Sequence, residues 1–202
     1  LNKEQKKALA EVKENLDGFA CSLLDGVTGS GKTEVYMQTM EQQLAKAKQC
    51  LVLVPEIGLT PQTVSRFQKR FACPIAVLHS GLNESERLEA WNSARDGSAG
   101  IIIGTRSAIF TPMANPGLII VDEEHDSSFK QQDGFRYSAR DLAVMRAREE
   151  KVHVILGSAT PSLESLHNAR SKKFHHLKLS KRAADASPAA MEILDITDEH
   201  LQ

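Results

Sequence analysis

A glycine-rich loop that ends in a lysine and a threonine is the clearest chemical signature in this sequence of 202 residues. Residues 26–33, which read GVTGSGKT, fit the pattern G-x-x-x-x-G-K-[ST] at every fixed position. An apolar run ends at Asp25, directly before the loop, and a helical pattern begins at Lys32. Glycines allow such a loop to curl with its N–H groups turned inward, and the helix N-terminus adds positive potential. The segment therefore predicts a site for the phosphates of a nucleotide.

Two side chains of the loop carry most of the predicted chemistry. Lys32 is expected to reach the β- and γ-phosphates of a nucleoside triphosphate. The Thr33 hydroxyl is expected to ligate Mg²⁺, which prefers oxygen ligands. An accidental glycine turn before Lys-Thr is the alternative, and the agreement of strand, loop and helix argues against it. The residues predicted to bind nucleotide are Gly26, Val27, Thr28, Gly29, Ser30, Gly31, Lys32 and Thr33.

A second signature is an apolar strand pattern that ends in three carboxylates. Residues 118–125 read LIIVDEEH and lie about 90 residues after the phosphate loop. Carboxylates at the end of a buried strand are costly unless a cation or a polar group is near. In phosphate-loop enzymes the aspartate at this place holds the magnesium shell, so Asp122 is the predicted metal ligand and Glu123 the predicted base for water. Lys32, Asp122 and Glu123 are thus the predicted catalytic residues, with an exposed acidic turn as the alternative.

Apolar runs of strand length, separated mostly by helical patterns, must position these groups. Continuous apolar runs are typical of strands buried on both faces, and their alternation with helices predicts a mostly parallel sheet covered by helices on both sides. Ligands of such α/β folds bind at the carboxyl ends of the strands, where both signatures lie. The predicted strands are 21–25, 51–54, 75–78, 101–103, 118–122 and 152–156, and the predicted helices are 2–15, 33–48, 60–71, 85–95, 138–149 and 162–172.

The average composition argues against several classes of protein. With 41% hydrophobic and 25% charged residues the chain is expected to be globular. No stretch approaches the roughly 20 apolar residues that span a membrane. The three cysteines form no C-x-x-C pair, so neither a zinc site nor a redox motif is indicated. A net charge of −1 and 5% aromatic residues, taken alone, argue against a nucleic-acid binder.

Charge is unevenly distributed near the end of the sequence. Residues 165–184 contain six lysines and arginines and no acidic residue, whereas residues 185–202 contain five acidic residues and no basic one. Such blocks are most often solvated faces or linkers. We therefore expect one lobe over residues 1–182, followed by a linker and C-terminal tail over 183–202. Because the sequence begins with Leu1, we expect it to be a piece of a longer protein.

Polar groups follow three further predicted strands. The segments 53–62, 103–110 and 156–162 each leave an apolar run and continue with hydroxyl, arginine or backbone N–H groups. Such groups can hold nucleic-acid phosphates. The residues of these segments predicted to contact nucleic acid are Pro55, Thr105, Arg106, Ser107, Ser158 and Thr160.

An aromatic and basic loop directly follows the acidic signature. Residues 126–137 lack periodicity and are predicted to form a loop, which holds three of the chain's ten aromatic residues. Aromatic rings stack on the bases of single-stranded DNA, and basic side chains follow its phosphates. The alternative is that the aromatic rings pack the loop onto the core. The residues predicted to bind DNA or to couple it to hydrolysis are Phe129, Lys130, Phe135, Arg136 and Tyr137.

The order and spacing of these segments resemble the motifs of superfamily-two helicases. The strings GVTGSGKTEVY, VPEIGLTPQ, HSGLN, GTRSAIF and DEEHD are similar to those of the bacterial replication-restart DNA helicases, over residues 1 to about 196. The resemblance implies a RecA-like P-loop NTPase lobe, and it matches the first of the two helicase lobes in that family. The family's second lobe with its arginine finger, its zinc-binding cysteines and its N-terminal DNA-binding domains have no counterpart in this sequence.

The resemblance implies a 3′-to-5′ DNA helicase that uses ATP and Mg²⁺ on single-stranded and forked DNA in the bacterial cytoplasm. Gln5 matches the position that reads adenine, and Ser158 and Thr160 match the segment that couples hydrolysis to DNA movement. The implied partners are the second lobe, primosome proteins and single-stranded DNA-binding protein, with no membrane and no zinc in this part. The isolated lobe is expected to bind nucleotide without unwinding DNA, because an arginine finger contributes ~10³-fold or more in rate.

Two other functions fit the same signatures. A double-stranded DNA translocase of the RecG type shares the general motifs, although the string DEEHD and the aromatic loop favour the replication-restart family. A nucleotide-gated interaction module without turnover is the other, and the intact Lys32, Asp122 and Glu123 argue against it for the longer protein. Substrate assays on the longer protein distinguish a replication-restart helicase from a translocase of the RecG type. ATP turnover measured with and without single-stranded DNA tests for an interaction module without turnover.

Overall fold

The computed structural model describes residues 1–182, and the predicted linker and tail over 183–202 lie outside the described residues. The described part confirms the predicted α/β fold, with helices on both faces of a parallel sheet of seven strands. A separate antiparallel pair, β6 and β7, forms a short hairpin. The strands are β1 Ala20–Gly26, β2 Gln49–Leu53, β3 Ile75–Leu78, β4 Ile101–Gly104, β5 Pro116–Asp122, β6 Lys130–Gln131, β7 Tyr137–Ser138, β8 His153–Ser158 and β9 His175–Leu179.

All six predicted helices form, with ends that shift by a few residues from the prediction. Five of them begin at a residue whose side chain accepts a backbone N–H bond from the first turn, namely Asn2, Thr60, Asn83, Ser138 and Ser162. None of the helices within residues 1–182 is long and apolar enough to cross a membrane. The helices are α1 Lys3–Glu14, α2 Lys32–Ala45, α3 Pro61–Arg70, α4 Glu84–Arg95, α5 Ala139–Glu150 and α6 Leu163–Arg170.

Two apolar clusters hold the helices against the sheet. Side chains of α1, α2 and α3 pack in one cluster, whereas α4, α5 and α6 contribute to the other. The strand residues between them are buried on both sides, as their continuous apolar pattern predicts. The sheet is therefore covered by helices on both faces, which leaves its carboxyl edge to the loops that follow the strands.

The edge strand β9 corrects the expectation that residues 165–184 form only a solvated face or a linker. It runs parallel to β1, with Leu177 opposite Leu24 and Leu179 opposite Gly26. Leu177 and Leu179 are buried, whereas His175 and Lys178 are exposed. Because an edge strand alternates between a buried and a solvated face, it lacks the continuous apolar run used to predict the other strands.

Strand register brings the predicted functional segments to one edge of the sheet. Asp25 of β1 lies opposite Ser158 of β8, and Gly157 of β8 lies opposite Asp122 of β5. On the other side of β5, β2 ends beside β4, whose last residue is Gly104. The phosphate loop, the acidic residues and the three polar segments therefore all leave the sheet at its carboxyl edge, as α/β folds require of a ligand site.

Candidate nucleotide site and adjoining loops

Backbone conformation explains the glycines of the phosphate loop. Gly29 and Gly31 have φ of +77° and +84°, which are left-handed values that strain other residues. Gly26 is required for another reason, because a Cβ there would lie 2.7 Å from Ser30 Oγ. The loop leads directly into α2, whose first residue is Lys32. The helix N-terminus therefore meets the loop, which is the arrangement of an anion site.

A cleft of about 470 Å³ opens over this loop. Its lining comprises residues 27–34 together with Met37, Arg66 and Glu123. The Ser30 hydroxyl is buried and has no hydrogen-bond partner among the described residues, and such an orphaned donor fits a site for an oxygen-rich ligand. The curled backbone, the basic side chains and the hydroxyl donors together fit the triphosphate of ATP with Mg²⁺.

Lys32 joins the phosphate loop to the acidic strand end. Its Nζ donates a hydrogen bond to the Gly26 carbonyl at 3.0 Å and lies 3.5 Å from Glu123 Oε1. The residue is only 8% exposed, so its charge lies inside the cleft. Two of the three predicted catalytic residues, Lys32 and Glu123, thus form an ion pair although they lie far apart in sequence.

Asp122 occupies the last position of β5 and lies close to the helix that follows the phosphate loop. The Tyr36 hydroxyl of α2 donates a hydrogen bond to Asp122 Oδ1 at 3.0 Å. Burial raises the pKa of Asp122 and the neighbouring Glu123 charge raises it further, whereas Tyr36 and Lys32 act in the opposite direction. Burial likewise raises the pKa of Tyr36 well above its usual value, so this hydroxyl remains a donor.

A chain of polar contacts runs from Glu123 to the segment after β8. Glu123 has φ of +48°, an uncommon value for a residue with a side chain, and its Oε2 lies 3.6 Å from His125 Nδ1. The same His125 nitrogen lies 2.8 Å from Ser158 Oγ, which also accepts the Thr160 N–H at 2.9 Å. Ser158 is fully buried, so its hydroxyl acts within the protein and does not face solvent.

Glu124 forms the most extensive side-chain network of the acidic segment. Its buried carboxylate accepts the Ser162 N–H at 2.7 Å, the Ser162 hydroxyl at 3.1 Å and the Ser165 hydroxyl at 2.9 Å. Arg140 Nη1 lies 3.3 Å from Glu124 Oε2 and donates to Ser162 Oγ at 2.8 Å. The network therefore ties the acidic segment to the starts of α5 and α6.

Gln5 lies beside the phosphate loop. Its Nε2 donates to the Ser30 carbonyl at 2.8 Å, and its Oε1 accepts the Asn2 N–H at 2.8 Å. The side chain is buried and fixed by the capping box of α1. Contact of Gln5 with adenine stays a prediction.

The aromatic segment contains a short hairpin within the predicted loop. Phe129 is 1% exposed and packs in the core, so one of its three rings fits the packing alternative and is turned away from any surface ligand. Phe135 is 76% exposed at the tip. Tyr137 is half-buried between Phe135 and Phe110, with ring centroids at 5.8 Å and 5.0 Å. The exposed aromatic surface is thus formed by Phe135, Tyr137 and Phe110.

The other predicted DNA residues fall into buried and exposed groups. Arg106 Nη1 donates to the carbonyls of Ser128 and Lys130 at 3.0 Å and 3.1 Å, and it thereby fastens the hairpin to the segment after β4. Pro55 and Thr105 are buried at the ends of their strands. The residues with exposed side chains are Lys130, Arg136, Ser107 and Thr160.

Sequence reasoning missed three residues of this region. Tyr36 follows Lys32 by one helical turn and so shares its face, a spacing that could have indicated a contact with the site. Glu124 received no role, and Arg140 was not singled out. Ser162 and Ser165 lie at the start of a helix, and both donate hydrogen bonds to the Glu124 carboxylate. Glu124 is distant from them in sequence, so this contact could not be predicted from the sequence.

Comparison with known proteins gives the family of this chain. The family of DEAD/DEAH box helicases matches residues 2–169. The chain belongs to this family.

Within this class the chain is similar to the replication restart protein PriA. It is 54% identical to PriA of Haemophilus influenzae over 202 residues, which cover 100% of this chain and 28% of that protein. It is 44% identical to PriA of Bacillus subtilis, with 98% of this chain and 25% of that protein covered. The chain therefore spans about a quarter of the length of these relatives.

A solved structure described as RecG bound to a three-way DNA junction has a similar fold. The TM-score is 0.66 at 25% identity, with 89% of this chain and 24% of that chain covered. The likeness supports the assignment of the described residues to a helicase lobe of the RecA-like type.

Proposed function

We propose that this chain is the ATP-binding lobe of a 3′-to-5′ ATP-dependent DNA helicase that acts in replication restart and primosome assembly. By itself the chain binds nucleotide without unwinding DNA. The observation that carries the proposal is the meeting of the phosphate loop and the acidic strand end, where Lys32 Nζ lies 3.5 Å from Glu123 Oε1. The similarity to PriA over the whole chain supports the choice of DNA as the substrate.

The residues of the cleft divide the handling of ATP between them. The N–H groups of the phosphate loop and Lys32 hold the phosphates, and Gln5, which bonds to the Ser30 carbonyl of the loop, is the residue proposed to contact adenine. Thr33 and Asp122 would hold Mg²⁺, which when bound neutralises charge on the phosphates. Both offer the oxygen ligands that this cation prefers.

Glu123 is the base that orients and deprotonates the attacking water. Its carboxylate faces the cleft and is held between Lys32 and His125. Contacts continue from His125 through Ser158 to Thr160, so movement of the segment after β8 alters the position of the base. In the proposed helicase this path couples hydrolysis to DNA movement, and the arginine finger comes from the second lobe.

DNA contacts are proposed for the surface around the hairpin. Phe135 and Tyr137 offer faces for base stacking, and Lys130 and Arg136 offer exposed positive charge. Forked DNA, primosome proteins and single-stranded DNA-binding protein are the partners proposed for the longer protein, in the bacterial cytoplasm.

Two assays test this function. Calorimetry of the 202-residue chain with a non-hydrolysable ATP analogue is expected to give Mg²⁺-dependent binding with one site per chain. A fluorescent strand-displacement assay is expected to give unwinding by the longer protein on a 3′-tailed duplex and none by this chain. Lack of analogue binding would refute the nucleotide site, and unwinding by this chain would refute the need for a second lobe.

A double-stranded DNA translocase of the RecG type is the second candidate. It is favoured by the fold likeness to RecG at a TM-score of 0.66, but the identity there is 25% against 54% to PriA. Unwinding of three-way junctions by the longer protein without activity on a simple 3′-tailed duplex would favour this candidate.

A further inference from the structure

Tyr36 is a polar residue next to the catalytic centre to which no role has been assigned. It lies on α2, one turn after Lys32, and is 2% exposed. Its hydroxyl donates to Asp122 Oδ1 at 3.0 Å, across 86 positions of sequence. A buried hydroxyl needs a partner, and the partner here is the carboxylate predicted to bind the metal.

Gly157 makes room for this hydroxyl. Gly157 lies opposite Asp122 in the register of β5 and β8. A Cβ built on Gly157 would lie 1.5 Å from the Tyr36 hydroxyl and 2.7 Å from its ring carbon Cζ. Any side chain at Gly157 would therefore expel the tyrosine, so the sheet beside Asp122 has a notch that the phenol occupies.

A tyrosine hydroxyl bonded to one oxygen of Asp122 can orient the carboxylate. A carboxylate at the end of a strand can rotate about its terminal bond, and a donor on one oxygen fixes the direction in which the other oxygen points. Partners that hold a metal-binding carboxylate commonly affect metal affinity by about 10- to 100-fold. A tyrosine that merely fills the core would have no such effect, since its ring would serve equally well without the hydroxyl.

We propose that Tyr36 is a positioning residue that orients Asp122 for Mg²⁺ through its hydroxyl, with Gly157 as the notch that permits it. The proposal rests on the proposed function, because it requires that Asp122 bind Mg²⁺ with a nucleotide. It adds a second layer to the site, in which α2 supplies both the lysine for phosphate and the tyrosine for the metal ligand.

The test compares Tyr36→Phe with Thr39→Val in the 202-residue chain. Thr39 is also buried on α2, but its hydroxyl bonds to the Val35 carbonyl within the helix. Affinity for a fluorescent ATP analogue is measured in excess Mg²⁺ and in EDTA, and the ratio gives the Mg²⁺-dependent gain. Thermal unfolding of each variant measures the effect on stability separately.

Tyr36→Phe is expected to reduce the Mg²⁺-dependent gain by roughly tenfold while the affinity in EDTA stays within about twofold. Thr39→Val is expected to keep the gain. In an Asp122→Asn background, Tyr36→Phe is expected to have no further effect on the gain, because the phenol acts through Asp122.

Three results overturn the proposal. They are an unchanged gain in Tyr36→Phe, an equal loss of affinity with and without Mg²⁺, and a full additional effect in the Asp122→Asn background. If the wild-type chain binds no nucleotide at all, the proposed function fails together with this inference. Nucleotide binding by wild type with an unchanged Tyr36→Phe leaves the proposed function standing and refutes the inference alone.

Discussion

The nucleotide edge, formed by residues 26–33 and 122–125, differs sharply from the aromatic hairpin of residues 129–138. At the nucleotide edge, Lys32 and Glu124 are buried and contact groups of the same lobe. In the hairpin, Phe135 is 76% exposed and both Lys130 and Arg136 face solvent. The difference teaches that the proposed ATP site is assembled from contacts within this lobe, whereas the side chains of the predicted DNA surface are exposed to solvent.

The two regions are nevertheless joined by side chains. Arg140 stands directly after the hairpin and contacts Glu124, which follows the predicted base Glu123. On the other side, Arg106 holds the hairpin through the carbonyls of Ser128 and Lys130. Movement of the hairpin therefore has a direct path to the acidic segment.

The largest expected effect on stability comes from removing the contact between Glu124 and Arg140. Glu124→Ala removes the buried carboxylate that lies 3.3 Å from Arg140 and that accepts hydrogen bonds from Ser162 and Ser165, while Arg140 keeps its contact with Asp141 at 2.9 Å. Breaking a buried pair in this way costs about 3–5 kcal/mol of the free energy of unfolding. Urea unfolding measures it, with the exposed Glu89→Ala as the control expected to change stability by less than about 0.5 kcal/mol. A decrease of less than about 1 kcal/mol in the free energy of unfolding of Glu124→Ala would mean that the Glu124–Arg140 contact does not stabilise the fold.

The next largest effect is on nucleotide affinity and concerns the nucleotide edge alone. Lys32→Ala removes a charged donor from the cleft, and one charged hydrogen bond contributes about 1.5–3 kcal/mol. Affinity for an ATP analogue is expected to fall by about 10- to 100-fold. Lys46→Ala is the matched control, because Lys46 is half-exposed and pairs with Asp17 at 2.7 Å, away from the cleft. Equal affinities of the two variants in a fluorescence titration would contradict the predicted role of Lys32.

The third effect lies at the opposite end of the strands and should leave both regions unchanged. Burial lowers the pKa of His153 to about 4, with Ser22 Oγ at 3.0 Å and the Asn15 carbonyl at 3.1 Å as polar contacts. Because the folded state holds this histidine neutral, its contribution is complete above the unfolded pKa of 6.5 and is lost as pH falls toward 4.

Between pH 7 and pH 5 this loss is expected to be roughly 2 kcal/mol of the free energy of unfolding. His153→Gln should remove that part of the pH dependence, which is measured as the difference between the urea-unfolding curves of wild type and variant at the two pH values. Identical pH dependence in both proteins would refute the neutral, buried state of His153.

The smallest expected effect is that of the exposed ring of Phe135 on DNA binding, and the buried ring of Phe129 in the same segment serves as its contrast. Phe135→Ala is expected to change the free energy of unfolding by less than about 0.5 kcal/mol, because the ring is exposed. It should weaken binding of single-stranded DNA by about 1 kcal/mol, or roughly fivefold. Phe129→Ala should instead cost about 3–5 kcal/mol in stability, since that ring is buried. Fluorescence anisotropy with labelled oligonucleotides measures the first effect, and unchanged DNA affinity in Phe135→Ala would refute the stacking role.

Strands and helices with a continuous apolar or helical pattern could be predicted from the sequence. The edge strand, the short hairpin and the contacts between distant side chains could not, because they depend on the assembled sheet. The six predicted strands and six helices form because their apolar runs and caps act locally. The edge strand β9 alternates, and the ladder of β6 and β7 spans only two residues in each strand, too short for a periodic signal. The phosphate loop and Asp122 were visible as motifs. The Tyr36 and Arg140 contacts were not, because they depend on the register of β5 with β8 and on the docking of α5.

ATP turnover by the 202-residue chain, with and without single-stranded DNA, tests most directly whether the lobe holds an assembled ATP site but an incomplete motor. We expect Mg²⁺-dependent ATP binding with phosphate release close to the buffer background in both conditions. Glu123→Gln should leave that low rate unchanged. Rapid hydrolysis that DNA stimulates and Glu123→Gln abolishes would contradict the claim that a second lobe is required.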